Sequence, residues 1–471
     1  MTDKPNFIFY VSDSLRADHL SCYGYGRKTS PHIDCLSRDG IRFERAFAQA
    51  YKTVESSVSI LTGLYPPAHQ ARTTYDIVPD EAPRIACRFA DHGYTTAGFS
   101  SLVQISKRRG FDEGFHTFEE LFRTQEATDG FTDWAGVCTD QAINWIEECD
   151  GGPFFLFVWS NGTHDPYGPR ADVFAEDDPD HPIDGSLESL RSADPDQASR
   201  VRNLYDDTIR HADAHFGRLL DYLERSGLYD ETVIVFTADH GELLSEHGRL
   251  EHTYAPIRRG MQALAPRFIH SQTLFEPGAF VGHLATLPYD ELLHVPAIVK
   301  PDGRTYDGDT RTGLVETVDL MPTVADLAGI PFETQGESLQ PLFEYDRPFK
   351  DHVFSHTDIS RGLTNTQSVR SMDHKLVRVN WELSRLRSRE TLDLENTLLS
   401  VFKKSITKSE LLFELPDENA DVTSHLPEAR DVLRKALNKW IENVREVSID
   451  PETSELDAVT KQQLRELGYR K

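Results

Sequence analysis

Cysteine is scarce and irregularly placed in this chain: Cys22, Cys35, Cys87, Cys138 and Cys149 are the 5 in 471 residues. An odd number with no CxxC pair speaks against a disulfide framework and a thiolate zinc site, and fits reduced thiols. Basic residues are in deficit, 50 against 77 acidic ones, for a formal charge of -27 that disfavours a nucleic-acid surface. Dispersed acids of this kind suit a protein kept soluble in high salt, and equally an ordinary acidic protein. No apolar run approaches the ~20 residues of a membrane span. No charged segment followed by an apolar stretch precedes Phe7, so a cytoplasmic protein is expected. Internal repeats and low-complexity tracts are missing as well.

What is present is enough apolar residue, 38% with 10% aromatic, for a large core. Thr232–Glu242, TVIVFTADHGE, is an apolar run that stops at Asp239, His240, Gly241 and Glu242. Val233–Thr237 reads as a strand buried on both faces, as in a parallel sheet. Asn6–Arg16, NFIFYVSDSLR, repeats the arrangement, with Asp13 following the run Phe7–Val11. Sites in open α/β sheets form at the carboxyl ends of strands. Two strand ends in one sheet can therefore bring carboxylates and an imidazole to one divalent cation.

Helical spacing marks other segments. Ser30-Pro31 opens a helix that Gly40 ends. In Lys52–Gly63, KTVESSVSILTG, Val58, Leu61 and Leu64 recur at helical spacing, with Thr53 just before the helix. Thr53 or Ser56 could be its N-cap; alternatively a hydroxyl there is a nucleophile working beside free backbone N–H groups. Asp196–Gly227 reads as a long helix carrying Asp207 and His211 four residues apart, a possible but secondary second metal pair. Thr163-His164-Asp165-Pro166-Tyr167 follows the strand Phe154–Trp159, and Asp165–Pro195 reads as a loop over the site rim.

Phe7–Arg16, Tyr23-Gly24, Ser30–Leu36, Gly40–Phe47, Leu61–Pro66, Ala238–Gly248, Tyr289–Val299, Val318–Gly329 and Val369–Val377 come in the order and spacing of the sulfatase family. The chain thus resembles that branch of the alkaline phosphatase superfamily over nearly its whole length. The resemblance implies an α/β fold, an α/β/α sandwich with a central mostly parallel sheet. It implies one divalent metal ion (Mg, Mn, Zn or Ca) held by Asp13, Asp239 and His240, with the nucleophile as a further ligand. It also implies that His164 contacts the ester or protonates the leaving oxygen, sound chemistry for a positioned imidazole.

Departures from the family pattern sharpen the expectation. The family's nucleophile is a Cys or Ser in Cys/Ser-x-Pro-x-Arg, converted to formylglycine; here Thr53 holds that place, with Glu55 and Ser57 for the Pro and Arg. Threonine cannot yield formylglycine. It can form a phospho-threonine, which water or an alcohol resolves, whereas a threonine sulfate lacks the aldehyde route that expels sulfate. Ser14 replaces another metal-binding Asp, which disfavours a large hard cation such as Ca²⁺. His252 or His283 fills the place of a family Lys or His. An insertion at about 253–281 carries Arg258, Arg259, Arg267 and His270 and would cover an anionic substrate. Ser14, Arg258 and Arg259 are the candidate substrate contacts.

Beyond Pro348 short strands at Val353–His356, Ser368–Arg370, Lys375–Asn380 and Leu411–Leu415, then a helix from Glu428 to about Val447, suggest a smaller α+β domain with an antiparallel sheet. The expected division is 1–348 for the catalytic domain and 349–471 for the C-terminal subdomain. The expected function is a metal-dependent hydrolase of a phosphate or phosphonate ester, or a phosphoryl transferase, working through Thr53. The alternatives are a sulfatase acting on a sulfated sugar or aryl sulfate, and a catalytically silent anion-binding relative. The partner is a small anionic ester built on a sugar, lipid headgroup or nucleotide, with no nucleic acid and no membrane span.

Overall fold

Every residue of β1 (Asn6–Ser12) is buried. Ile8 and Tyr10 enter one apolar cluster, and Phe7, Phe9 and Val11 enter another, because successive side chains leave a strand on opposite faces. A strand apolar at every position needs cover on both sides, which a sheet sandwiched between helices provides. The computed structural model describes residues 4–124, 132–149, 151–168, 173–175, 181–193, 195–247, 281–283, 287–304, 306–358, 364–381, 410–416, 418, 420–445 and 451–466.

β1 lies between β5 (Phe154–Ser160) and β6 (Thr232–Thr237) and runs parallel to both. Beyond β5 come β3 (Thr95–Ser100) and β4 (Thr117–Glu120); beyond β6 come β10 (Ala297–Lys300), β2 (Ile41–Phe47) and β11 (Asp309–Glu316). Two short pairings complete the strands before the tail: β9 (His294–Val295) joins β2, and β7 (Leu243–Leu244) joins β8 (Val281–Gly282). β10 is antiparallel to both its neighbours, so β2 still runs in the direction of β6. The carboxyl ends of β1, β2, β5 and β6 therefore open on one edge.

Helices cover both faces. On one lie α1 (Pro31–Asp39), α5 (Trp134–Glu148) and α7 (Ala198–Ser226), contributing Ile33, Cys138, Leu204 and Phe216 among others. On the other lie α2 (Thr53–Thr62), α4 (Ile85–Asp91), Leu320–Leu327 and Pro427–Arg445, contributing Val58, Phe89, Met321 and Leu437. The short helices α3 (Pro66–His69) and α6 (Leu187–Ser192) turn corners between these. The α/β/α expectation is met, with α7 preceded by a 3-10 turn at Pro195–Gln197.

The tail forms a separate antiparallel sheet of β12 (Val353–Asp358), β13 (Thr364–Arg370), β14 (His374–Trp381) and β15 (Glu410–Glu414). Three of these strands run longer than the apolar pattern suggests, because Asp358, Asn365, Thr366 and Gln367 are buried polar residues within paired strands. Its apolar side chains join the same two clusters as the large sheet, and buried polar contacts such as the Tyr51 N–H on the Thr357 hydroxyl also cross between the two parts. Residues 253–280 of the expected insertion lie outside the described residues. No described helix is long and apolar enough to cross a membrane.

Trp440 binds the two parts together, stacked on Phe354 at 4.8 Å between ring centroids and edge-on to Tyr65 at 5.3 Å. Trp440→Ala is expected to cost about 3 kcal/mol of unfolding free energy, as for other large-to-small core changes. Urea denaturation followed by fluorescence and far-ultraviolet circular dichroism should give one shared transition at a lower midpoint; an unchanged midpoint would contradict a shared core.

Candidate active site

Register fixes the site before any side chain is considered. Ser12 pairs with Ser160 and Val11 with Thr237, so Asp13, the turn after β5 and Ala238–His240 leave the sheet side by side. The Asp13 N–H donates to Ser160 O at 2.9 Å. Gly241 follows at a point where an added Cβ would lie 2.0 Å from the Glu291 carbonyl oxygen, and its N–H donates to Leu292 O at 2.8 Å. Only glycine allows the chain to turn away there.

Asp13, Asp239 and His240 are fully buried and offer ligand atoms within 4.8 Å of one another. Asp13 accepts from the Trp159 indole N–H at 3.0 Å and the Ser14 hydroxyl at 3.0 Å. Asp239 accepts from the Ser14 N–H at 3.1 Å on one oxygen, and its other oxygen, Oδ2, has no hydrogen-bond partner. His240 directs Nδ1 at the Gly241 carbonyl, 2.9 Å away, which leaves Nε2 facing the cluster. Burial, then repulsion from Asp239, raises the Asp13 pKa, and burial pushes Asp239 up to about 7. Burial, reinforced by His283, holds His240 neutral with a pKa of about 4. Two desolvated carboxylates, an orphaned oxygen and a neutral imidazole form an oxygen-rich donor set that fits a divalent cation.

The Thr53 hydroxyl lies 3.1 Å from His240 Nε2. Thr53 is the first residue of α2 rather than its cap: Lys52 occupies the cap position without a side-chain bond. Ser56 is no cap either, since its hydroxyl donates to Asp239 O at 2.6 Å.

On the other rim, His164 sets Nδ1 against Asp165, 2.6 Å from its carbonyl oxygen and 2.8 Å from its carboxylate. Burial opposes a charge on His164, and Asp165 outweighs it, raising the pKa well above the ordinary imidazole value. His283 stands between the other imidazoles, 4.5 Å from His240 and 5.0 Å from His164 by ring centroids. The β7–β8 pairing brings it there, and its Nδ1 lies 3.2 Å from Glu242 Oε1. Burial, and then the positive His164, keep His283 neutral with a pKa of about 4; burial, and then Asp165, push Glu242 up to about 8.

Other expectations fare differently. Ser14, expected to face substrate, spends its N–H and hydroxyl on the two carboxylates, in a left-handed conformation at φ 61°. Asp207 and His211 do not form a metal pair. Asp207 is fully buried and accepts the N–H groups of Val173, Phe174 and Ala175, while His211 turns to Asp133. His252, Arg258 and Arg259 lie outside the described residues, as do Arg267 and His270. The sequence reading missed Trp159, Ser56, Asp165 and Glu242 as partners of the site. Each adjoins a motif residue or ends an apolar strand, the one signal available.

Among characterised proteins, the chain is similar to an N-acetylglucosamine-6-O-sulfatase of Bacteroides thetaiotaomicron, 24% identical over 439 residues that cover 73% of this chain and 71% of that protein. It is similar to the low-salt glycan biosynthesis sulfotransferase Agl7 of Haloferax volcanii, 25% identical over 324 residues, covering 69% and 61%. Its fold matches that of a phosphonate monoester hydrolase from Silicibacter pomeroyi with a TM-score of 0.68 at 19% identity, over 95% of this chain and 96% of that one. The Sulfatase family model matches residues 5–330, the span that holds Asp13, Thr53, His164, Asp239, His240 and His283, and this chain belongs to the sulfatase family.

Proposed function

We propose that this sulfatase-family hydrolase cleaves a phosphate or phosphonate ester, with Thr53 as nucleophile and a phospho-threonine as intermediate. The observation that carries the reading is the Thr53 hydroxyl, buried 3.1 Å from His240 Nε2 at the centre of the ligand cluster. Asp13, Asp239 and His240, with Thr53 as a further ligand, would hold a divalent cation, which when bound would supply the positive charge that lowers the cost of deprotonating that hydroxyl and of gathering an anionic ester. Ser14 in place of a further carboxylate supports Mg²⁺, Mn²⁺ or Zn²⁺ over Ca²⁺.

Thr53 Oγ, its proton released to solvent, attacks phosphorus, the bond to the leaving oxygen breaks, and His164 delivers a proton to that oxygen. With Nδ1 committed to Asp165, the other ring nitrogen is the one that meets the leaving group. The Oγ–P bond then breaks as water attacks, or as an alcohol attacks if the enzyme transfers the group; the attacking O–H gives its proton to the same nitrogen of His164, and the Thr53 oxygen takes one back from solvent. His283, neutral and oriented by Glu242, adds a polar contact for the ester oxygens. Arg258 and Arg259 belong to this proposal as substrate contacts, and His252 as the catalytic alternative to His283. Residues 1–348 carry the reacting groups, and 349–471 buttress α2, where the Asp358 N–H donates to Glu55 at 3.1 Å. An odd number of cysteines with no CxxC pair supports a reducing, cytoplasmic setting.

A second reading, sulfuric ester hydrolysis or transfer, is supported by the names of the relatives, which act on sulfated sugars or transfer sulfate. Paired aryl sulfate, phosphomonoester, phosphodiester and phosphonate ester substrates separate the two, with faster turnover of the phosphorus esters expected.

Thr53→Ala is expected to lower kcat/KM by about 10³-fold or more on the true substrate class. Mass spectrometry of protein quenched during turnover should find a phosphoryl adduct on the peptide carrying Thr53; a sulfuryl adduct there supports the second reading, and an adduct on another residue sinks both. Exhaustive chelation should abolish turnover, and Mg²⁺, Mn²⁺ or Zn²⁺ should restore it. The proton on His164 is present below its raised pKa and lost as pH rises through it, so activity has an alkaline limb. Asp165→Asn removes the charge that raises that pKa and should move the limb to lower pH by about one unit or more. The shift should be clearest in kcat on alkyl esters and weak on nitrophenyl esters, whose leaving groups need no proton.

A further inference from the structure

α7 carries His211 and His215 one turn apart, and both present Nε2 to the same carboxylate at the start of α5. His211 Nε2 lies 2.9 Å from Asp133 Oδ1, and His215 Nε2 lies 3.2 Å from Asp133 Oδ2. The two rings are 4.6 Å apart, and the three ligand atoms all fall within 4.8 Å of one another. None of these residues belongs to the active-site cluster.

Two features mark the group as more than a chance meeting of polar side chains. Gly136, in the first turn of α5, sits where an added Cβ would lie 2.4 Å from Asp133 Oδ2 and 2.9 Å from His215 Cε1. The cluster is packed tightly enough to require glycine where glycine is a poor helix former. The carboxylate also offers a separate oxygen to each imidazole, 2.9 Å from His211 Nε2 and 3.2 Å from His215 Nε2, so both ring nitrogens and both oxygens face one small space. Burial disfavours the Asp133 charge, and the two imidazoles with the Gly136 N–H outweigh it, so the carboxylate stays ionised. The side chains remain 24%, 17% and 39% exposed for His211, His215 and Asp133, which gives an ion a way in.

We propose that Asp133, His211 and His215 form a second metal site, for a transition dication of the zinc class, with water completing the coordination. Two imidazole nitrogens and one carboxylate are the nitrogen-rich set that such an ion prefers over Mg²⁺ or Ca²⁺. The ion staples the first turn of α5 to α7. Binding through Nε2 moves the ring proton to Nδ1 on each imidazole. On His215 that displaces Arg218 Nη1, now 3.0 Å away, while Arg218 keeps its contact to Asp140. The site does not depend on the reaction proposed for Thr53.

The test uses the full chain with Asp239→Asn, which disables the active-site cluster and leaves the second one to be read alone. After chelation, Co²⁺ titration should give one tightly held ion per chain with the visible absorption of a four-coordinate nitrogen and oxygen site, displaced by Zn²⁺. Zn²⁺ should also raise Tm. Adding His215→Ala, or separately His211→Ala, should weaken binding by about 100-fold and remove both the absorption and the Tm shift. Two variants are made so that one that fails to fold by circular dichroism leaves the other to decide. Absence of bound Co²⁺ in Asp239→Asn, or binding unaltered by both histidine changes, overturns the proposal. Ester turnover by His211→Ala and His215→Ala in the otherwise unaltered chain should be preserved.

Discussion

Two carboxylates that the sheet desolvates and presses together are the constraint on which the rest of this molecule depends. Asp13 and Asp239 end adjacent parallel strands, both fully buried, and burial raises the pKa of each. Like charges in a dry site take up protons unless something holds them ionised. The chain meets part of that need with the Trp159 indole, the Ser14 N–H and hydroxyl, and the charged His164. The remainder is what the proposed cation would supply, and affinity for one would then be built into the β1–β6 pairing rather than added by a dedicated loop.

Behind Thr53, the proposed nucleophile, lies a second polar layer that holds its helix rigid. All ten residues of α2 are buried, including Glu55, whose carboxyl is pushed up to about 8 by burial despite Lys52. The small sheet reaches this layer through the Tyr51 N–H on the Thr357 hydroxyl at 3.1 Å, through Arg72 on Asp358 at 3.2 Å and through the Asp358 N–H on Glu55 at 3.1 Å. Arg109, also buried, ties three carbonyls together, those of Val54, Asp76 and Gln104. A hydroxyl held on such a support stays in reacting geometry without help from substrate.

Strand ends were the legible part of the sequence. Continuous apolar runs closing on Asp13 and on Asp239-His240 pointed to both the parallel pairing and the meeting of these three side chains at one sheet edge, because burial on two faces leaves no polar alternation to confuse the reading. Thr53 was legible only through spacing against the family pattern; by local signal alone it would pass as a helix cap. The antiparallel β10 was not readable, since a short apolar strand carries no mark of its direction. Nor were Glu242 beside His283 or Asp133 beside His211 and His215, which depend on contacts between distant segments. Asp207 misled for the same reason: its spacing to His211 is helical, but its carboxylate caps the backbone of residues 173–175.

The place of β1 in the sheet also has a consequence for biosynthesis. The Asn6 side chain receives the Phe154 N–H, and those residues are 148 positions apart. At about 5–20 residues per second on the ribosome, this apolar strand waits on the order of ten seconds for its first partner, and longer for β6. A chaperone that shields apolar segments during translation would find a target in Phe7–Val11.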